Sequence, residues 1–444
     1  MKFIQGQSRD QINLFPVSLD RSIDPDNEVR IIDLFVESLS IKDYGFRTDF
    51  TENGRPAYHP TDLLKLFIYG YLNKVRSSRD LEKECGRNIE VMWLLKCLKP
   101  DHNTISNFRR DNPTAIKKVF RTTVQIARHF DLIGGKLIAG DSTKLRAQNS
   151  KKNNFNQAKI NRHVAYNVQS TVDSKNNIPI DYKVTNQNDS KAMGNMVQRA
   201  KSILATNEFT VLYDKGFHTG SELKIAQDLG IETIVAIPGV PSTSQAPNHE
   251  YNYEHFMYNE TADTYTCPQN QVLRTNGTWY KELTSSGNII WFKQYKTRSC
   301  KTCKERSQCT RSKTARLIHR SEFAEYYEVN RRNFEEKEHL YKRRQAIVEH
   351  HYGTLKRQWG FSYILTKKGM ERASSDVGFM FIAYNLRRIG NILTRDRLKE
   401  YLRILVLMFL HKICLGWLQD INFKTPFYRI PVMTYKFRSS LITA

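Results

Sequence analysis

No stretch of the 444 residues is apolar for long without interruption. The opening, MKFIQGQSRDQ, lacks the apolar core of a signal peptide. The most apolar late run, YLRILVLMFLHKICLGWL (401–418), is broken by Arg403, His411 and Lys412, so it reads as a packed helix and not a membrane span. There is no internal repeat and no long low-complexity tract, which leaves no basis for a repeat array. Acids are also scarce: 45 Asp+Glu stand against 69 Lys+Arg, a formal net charge of +24. That excess points to a polyanionic partner, because Lys and Arg displace condensed counterions from phosphates. Nucleic acid is the expected partner, with a membrane surface or a ribosome-like assembly as the alternatives. Seven cysteines without a secretory signal suit a reducing compartment, hence the cytoplasm beside the nucleoid. Cys85, Cys97 and Cys414 lie in apolar or helical surroundings and read as core residues.

What is present is a globular chain. Its hydrophobic fraction is 40%, and its length allows two or three domains. Residues 1–130 read as helical. DPDNEVRIIDLFVESL has a capping start followed by helical apolar spacing. HPTDLLKLFIYGYLNKV does the same, with Thr61 or Asp62 as the cap. The stretch SSRDLEKECGRNIEVMWLLKCLKPDHNTISNFRR has the rhythm of a helix-turn-helix, or of a small bundle with a solvated basic face. Over 131–237 the period changes to three strands, helix, strand, helix, strand, an α/β core. The helix DSKAMGNMVQRAKSIL would be capped by Asp189 or Ser190. Residues 238–332 look like an insertion with β character, and 333–395 return to the core. There one long helix, NFEEKEHLYKRRQAIVEHHYGTLKRQWG, would carry the stripe Leu340, Ile347, Val348 and Leu355. Residues 396–444 form a tail.

The chemistry begins at KLIAGDSTK, where a short buried strand runs into Asp141. FTVLYD ends the same way on Asp214. An acid after an apolar strand can simply cap a turn. In open α/β sheets, however, functional groups collect at strand carboxyl ends. If the two strands are neighbours, the carboxylates meet, and like charges that close need something positive between them. A divalent metal such as Mg²⁺ fits that need. Glu349 lies within the long helix, in one stripe with Lys342 and Lys356. It is either a solvated ion-pair partner or a third ligand.

Taken in order, GDSTK, YDKGF and VEHHYGTLKRQWG resemble the DDE transposases of bacterial insertion sequences, the class with an InsH-like helical N-terminal domain. The resemblance spans roughly residues 1–395. It implies an RNase-H-like mixed sheet flanked by helices, with three acids binding two Mg²⁺ or Mn²⁺ ions. By position the acids are Asp141 after strand one, Asp214 after strand four and Glu349 on the helix beyond the insertion. It further implies cleavage of element ends and their joining to double-stranded target DNA, by a homo-oligomer. Lys215, Lys356, Arg357 and Arg344 would contact DNA phosphates. A related signature, Tyr-x2-Arg-x3-Glu-x6-Lys, holds for Tyr341-x2-Arg344 and Glu349-x6-Lys356. Four residues separate Arg344 from Glu349, however, and one residue turns a helical side chain by about 100°.

Two-metal in-line displacement also fits these residues directly, since three carboxylates offset much of the charge of two ions. Two rivals remain: a decayed or domesticated derivative that binds DNA without cutting, and an RNase-H-fold nuclease that cuts without joining.

Cys267, Cys300, Cys303 and Cys309 form the pattern C-x32-C-x2-C-x5-C. It suits a structural Zn²⁺ or four free thiols. Residues 294–320 hold nine Lys/Arg and one acid, Glu305. With Tyr295 and Trp291 nearby, this region resembles a DNA-contacting surface.

Overall fold

The structure is a computed structural model. It describes residues 18–48, 56–147, 165–239, 245–283, 289–313, 315–365 and 369–422, with side-chain surroundings through residue 408. The opening stretch, Cys414 and the last 22 residues therefore lie outside the described side chains. No described helix is long and apolar enough to cross a membrane. The apolar run 401–418 falls within one helix, Arg395–Asn422.

The chain divides into two compact units. One comprises the described parts of Met1–Tyr69, Cys85–Lys99 and Leu393–Ala444. The helix Glu28–Glu37 starts as its sequence promises: the Asn27 side chain accepts from Val29 N–H at 2.9 Å. Its Asp33 and Glu37 hold the buried Lys65 Nζ at 2.7 and 2.5 Å. In the same unit, Lys399 of the last helix donates to Pro25 O at 2.7 Å. The helix Pro60–Leu72 begins two or three residues earlier than a Thr61 or Asp62 cap would place it. Pro at the first helical position needs no N–H partner, and the His59 ring accepts from Thr61 N–H at 3.3 Å. Cys85 is buried, but Cys97 is exposed, with a left-handed backbone at φ 63°, and is not a core residue.

The second unit, Gly70–Glu84 with Pro100–Ile392, contains the sheet. Its strands are β1 (Leu137–Ala147), β2 (Ala165–Asp173), β3 (Ile178–Thr185), β4 (Thr210–Tyr213) and β5 (Glu232–Val235). Their order is β3-β2-β1-β4-β5. β2 runs antiparallel to both β1 and β3, whereas β4 and β5 run parallel to β1. Helix Pro113–His129, read from sequence with the N-terminal region, packs in this unit against β3 and helix Met370–Ile392. Phe120, Tyr182 and Phe381 meet there, with ring centroids 5.1–6.1 Å apart.

The insertion builds two small sheets. One is β6 (Met257–Asn259), β7 (Thr264–Thr266) and β8 (Val272–Arg274); the other is β9 (Trp279–Leu283), β10 (Ile289–Tyr295) and β11 (Ile318–Ser321). Tyr295 is fully buried in this lobe, so it is a core residue and offers no surface to DNA; Trp291 is exposed.

The expected single long helix is segmented. It runs as Ala324–Glu336, Glu338–Tyr341 and Arg344–Gly353, then a π turn at Thr354–Gln358. Its apolar stripe still serves: Ile347 and Val348 pack with Leu137, Ala139, Val172, Leu212 and Ile234, and Leu340 flanks them. Beyond it, β12 (Tyr363–Ile364) pairs in parallel with Arg146 and Ala147 of β1.

A buried ionic network anchors β12. Arg76 donates to Tyr363 O at 3.0 Å, and Asp376 accepts from Leu365 N–H at 2.7 Å. Asp376 also accepts from Tyr71 and lies 3.6 Å from both Arg76 and Arg109. Removing the only acid among these groups leaves two buried guanidiniums without their partner, which typically costs about 3–5 kcal/mol. Asp376→Ala should lose that much in urea denaturation, and a loss under about 1 kcal/mol would show the network to be unimportant.

Candidate active site

The side chains of a strand alternate between its faces. Leu137 and Ala139 of β1 face the core under the Arg344–Gly353 helix, and so does Leu212 of β4. Asp141 takes the next position in the first row and Asp214 the next in the second. Because Ala139 is in register with Leu212, two residues further brings the two acids level. The core row thus runs from apolar to acidic where the covering helix segment begins.

Asp141 does not end its strand, as the sequence suggested. β1 continues to Ala147 against β2, while its pairing with β4 stops at Ala139. Gly140 marks the parting. A Cβ on it would stand 2.0 Å from Cε1 of Tyr213, so only glycine lets β1 lie against that ring. What ends near Asp141 is the ladder with β4, not the strand.

Asp214 does follow its strand, and it also caps a turn. Its Oδ1 accepts from Gly216 N–H at 2.9 Å. Asp141 Oδ1 accepts from Ser142 N–H at 2.8 Å. Between the acids stands Arg344, with Nη2 3.2 Å from Asp141 Oδ1 and 3.8 Å from Asp214 Oδ2. Its Nε is buried without a hydrogen-bond partner. The break in the helix after Tyr341 sets the segment whose first residue is Arg344.

Burial pushes the Asp141 carboxyl up to about 6. Arg344 and the Ser142 N–H pull it down, and the charges of Asp214 and Asp189 push it up. Asp189 was read from sequence as a helix cap. Instead, the helix Met193–Leu204 starts without a side-chain cap, and Asp189 accepts from Ser142 Oγ at 2.6 Å and Asn167 Nδ2 at 2.7 Å. Tyr352 was also missed; its hydroxyl donates to Val168 O at 2.8 Å and lies 3.4 Å from Asp141 O. The linear sequence carries no sign of either contact, because both partners lie far along the chain.

The other expected residues divide. Glu349 is exposed and accepts from Gln345 Nε2 at 2.9 Å; it does not join the aspartates. The stripe of Lys342, Glu349 and Lys356 is interrupted, since Lys342 lies ahead of the last break and the π turn shifts the phase before Lys356. Lys342 pairs with Glu338, and Lys356 Nζ donates to Thr143 Oγ1 at 3.0 Å. Lys215 and Arg357 are exposed. Cys267, Cys300, Cys303 and Cys309 line a single cavity in the insertion. Among the described residues, no three His, Cys, Asp or Glu side chains stand close enough together to hold a metal ion.

Comparison with known proteins bears on two segments of the chain. Residues 17–111 match a family model described as a transposase domain, DUF772. Residues 266–390 match one described as a transposase DDE domain, a span that contains Glu349. Both matched segments are thus of transposase type, the second a DDE domain. Enzymes of this class act on DNA and use divalent metal ions. No curated protein matches the chain. A solved structure, that of the piggyBac transposase synaptic complex with hairpin DNA, is similar at 11% identity, covering 92% of this chain and 84% of that one, with a TM-score of 0.28.

The raised Asp141 pKa predicts a pH effect. An acid that keeps its proton longer when folded makes the folded state the better proton binder, so stability falls as pH rises from about 4 to about 6. The loss integrates to about 3 kcal/mol. In EDTA, the stability of wild type relative to Asp141→Asn should fall by that amount across this window. A difference that stays flat in urea titrations at pH 4, 5, 6 and 7 would remove the raised pKa.

Proposed function

We propose that Asp141 and Asp214, together with Glu349, form the catalytic acid set of an RNase-H-like core that cuts element ends and joins them to target DNA. The observation that carries this reading is that Asp141 and Asp214, 73 positions apart in sequence, share one guanidinium nitrogen at 3.2 and 3.8 Å. Two carboxylates at that range require a cation, and carboxylate oxygens are the donors Mg²⁺ prefers. The donor set therefore fits the metal in its two aspartates. Divalent ions at such a site supply an activated attacking oxygen and a stabilised leaving oxygen.

The chain's own residues set up that chemistry. Asp141, with a pKa of about 6, is ionised at neutral pH and offers a charged ligand. The N–H groups of Ser142 and Gly216 fix one oxygen of each aspartate. Asp189 restrains Ser142, and with it the segment where β1 leaves β4. Arg344 neutralises the pair in the metal-free chain and is placed to meet a phosphate. Lys356, beside Thr143 on the same face, and the exposed Lys215 and Arg357 extend the positive border for DNA. Glu349 enters the set on its place in the motif VEHHYGTLK and within the matched DDE domain. The strand order supports the RNase-H-like reading, since the acid-bearing β1 and β4 are central neighbours. The helical N-terminal region would recognise terminal DNA or aid assembly of a homo-oligomer.

Labelled terminal DNA with Mg²⁺ tests this. Asp141→Asn, Asp214→Asn and Glu349→Gln should each lower cleavage and joining by about 10³-fold or more while DNA affinity stays within about threefold. Full activity of Glu349→Gln would remove Glu349 from the set; full activity of Asp141→Asn would sink the site. Cutting without joining by wild type would instead identify a nuclease.

A further inference from the structure

The lobe built from β6–β11 has a thin core. Its buried apolar cluster consists of Phe256, Tyr265, Leu273, Tyr295 and Ile318, with Cys267 and Cys309 packed at its margin. Lobes of this size commonly need a staple as well as apolar burial.

Four thiols from three separate segments line a cavity beside that cluster. Cys267 sits in the turn after β7, Cys300 in the 3-10 turn Arg298–Lys301 with Cys303 just beyond it, and Cys309 at the end of the helix Arg306–Cys309. All four are free and line one cavity of about 30 Å³. That is above the ~10–15 Å³ a single water needs, so one small ion fits.

Two further features favour charged sulfur. The turn Cys267–Gln271 folds back on itself, with Cys267 N–H donating to Gln271 O at 3.0 Å and Gln271 N–H donating to Cys267 Sγ at 3.3 Å. Backbone N–H groups aimed at sulfur are the outer-shell contacts that orient and stabilise a ligating thiolate. Arg306 and Arg316 line the same cavity, and the buried Nε of Arg316 has no hydrogen-bond partner. Arg316 Nη1 donates to Cys309 O at 3.4 Å, but the buried Nε proton is poorly matched to a setting of four neutral thiols. Beside a zinc–tetrathiolate centre, which carries net negative charge, it is complementary.

We propose that Cys267, Cys300, Cys303 and Cys309 bind one zinc ion as thiolates and so close the insertion lobe. As they stand, the thiols surround the cavity without converging on a common centre. Each cysteine has one side-chain torsion, so rotation between staggered wells can draw the sulfurs inward. Binding forms four Zn–S bonds, releases the thiol protons to solvent and involves no change of oxidation state. The C-x2-C pair supplies two adjacent ligands, Cys267 and Cys309 the remaining two, and the tetrahedron is then complete with no open position for catalysis.

The test uses the full-length chain purified without chelators. Elemental analysis should find about one zinc per chain. Cys300→Ser and Cys303→Ser should each remove at least half of it, whereas Cys97→Ser, at an exposed thiol outside the lobe, should keep it. Asp141→Asn should also keep it, which separates this site from the acidic one. The protein reconstituted with cobalt(II) should show intense sulfur-to-cobalt charge-transfer absorption. Wild type without zinc and without that absorption overturns the proposal, as does zinc lost in Asp141→Asn but kept in Cys300→Ser. Four native thiols paired as two disulfides would overturn it as well. Should the serine variants aggregate, the zinc content and cobalt spectrum of wild type decide the matter.

Discussion

Two like charges on neighbouring strands are the constraint around which the sheet-bearing unit is arranged. Asp141 and Asp214 extend rows of core side chains, so the fold that buries Leu137, Ala139 and Leu212 also brings the acids together. Their repulsion requires a cation, and Arg344 provides one at 3.2 and 3.8 Å. For Arg344 to reach them, the helical segment must start there, after a break, with Ile347 and Val348 turned onto the sheet. Gly140 must be glycine for β1 to pass Tyr213. The start of the Arg344 segment and the parting of β1 from β4 both fall beside that pair of carboxylates.

The charge balance of the chain also looks different once side chains are placed. A net charge of +24 suggests a broad surface for phosphates. Several of the cations are internal, however. Arg76 and Arg109 are buried around Asp376, Lys65 is buried between Asp33 and Glu37, and Arg344 faces the aspartates. Arg320, counted in the basic stretch of the insertion, is held by Glu328 and lies over the Tyr258 ring at 3.7 Å. Composition gives the sign of the partner's charge, but it overstates the area left to meet that partner.

Much of this was legible in the sequence, and the misses share a cause. Period-2 apolar runs identified β1 to β5, because buried strands must alternate or be wholly apolar. The acids after LIAG and VLY were visible as breaks in those runs. The length of β1 was not, since its second half has polar residues on both faces and is fixed by β2. The segmentation at Lys337 and Lys342 was hidden because lysine is a good helix former; packing of Phe334 and Tyr341 on the core overrides that preference. Spacing on a regular helix put Glu349 in one stripe with Lys356, and the π turn at Thr354–Gln358 cancels that arithmetic. Asp189 looked like a cap because capping is the commonest reason for an acid at that position. Its actual partners, Ser142 and Asn167, can be seen only in three dimensions.

The two ladders on one edge of β1 have a consequence for biosynthesis. β4 pairs with Leu137–Ala139, and β12 with Arg146 and Ala147, more than 200 residues further along the chain. A ribosome therefore exposes the first strand long before the segment that completes its edge has been made. During that interval β1 offers unpaired N–H and C=O groups, the feature that invites pairing with other chains. Translation through Ile364 supplies the strand that completes this edge, and Asp376, which anchors that strand beside Arg76, follows only later in the chain. A reading frame broken before that point yields more than an inactive protein: it yields one with its central strand open to other chains.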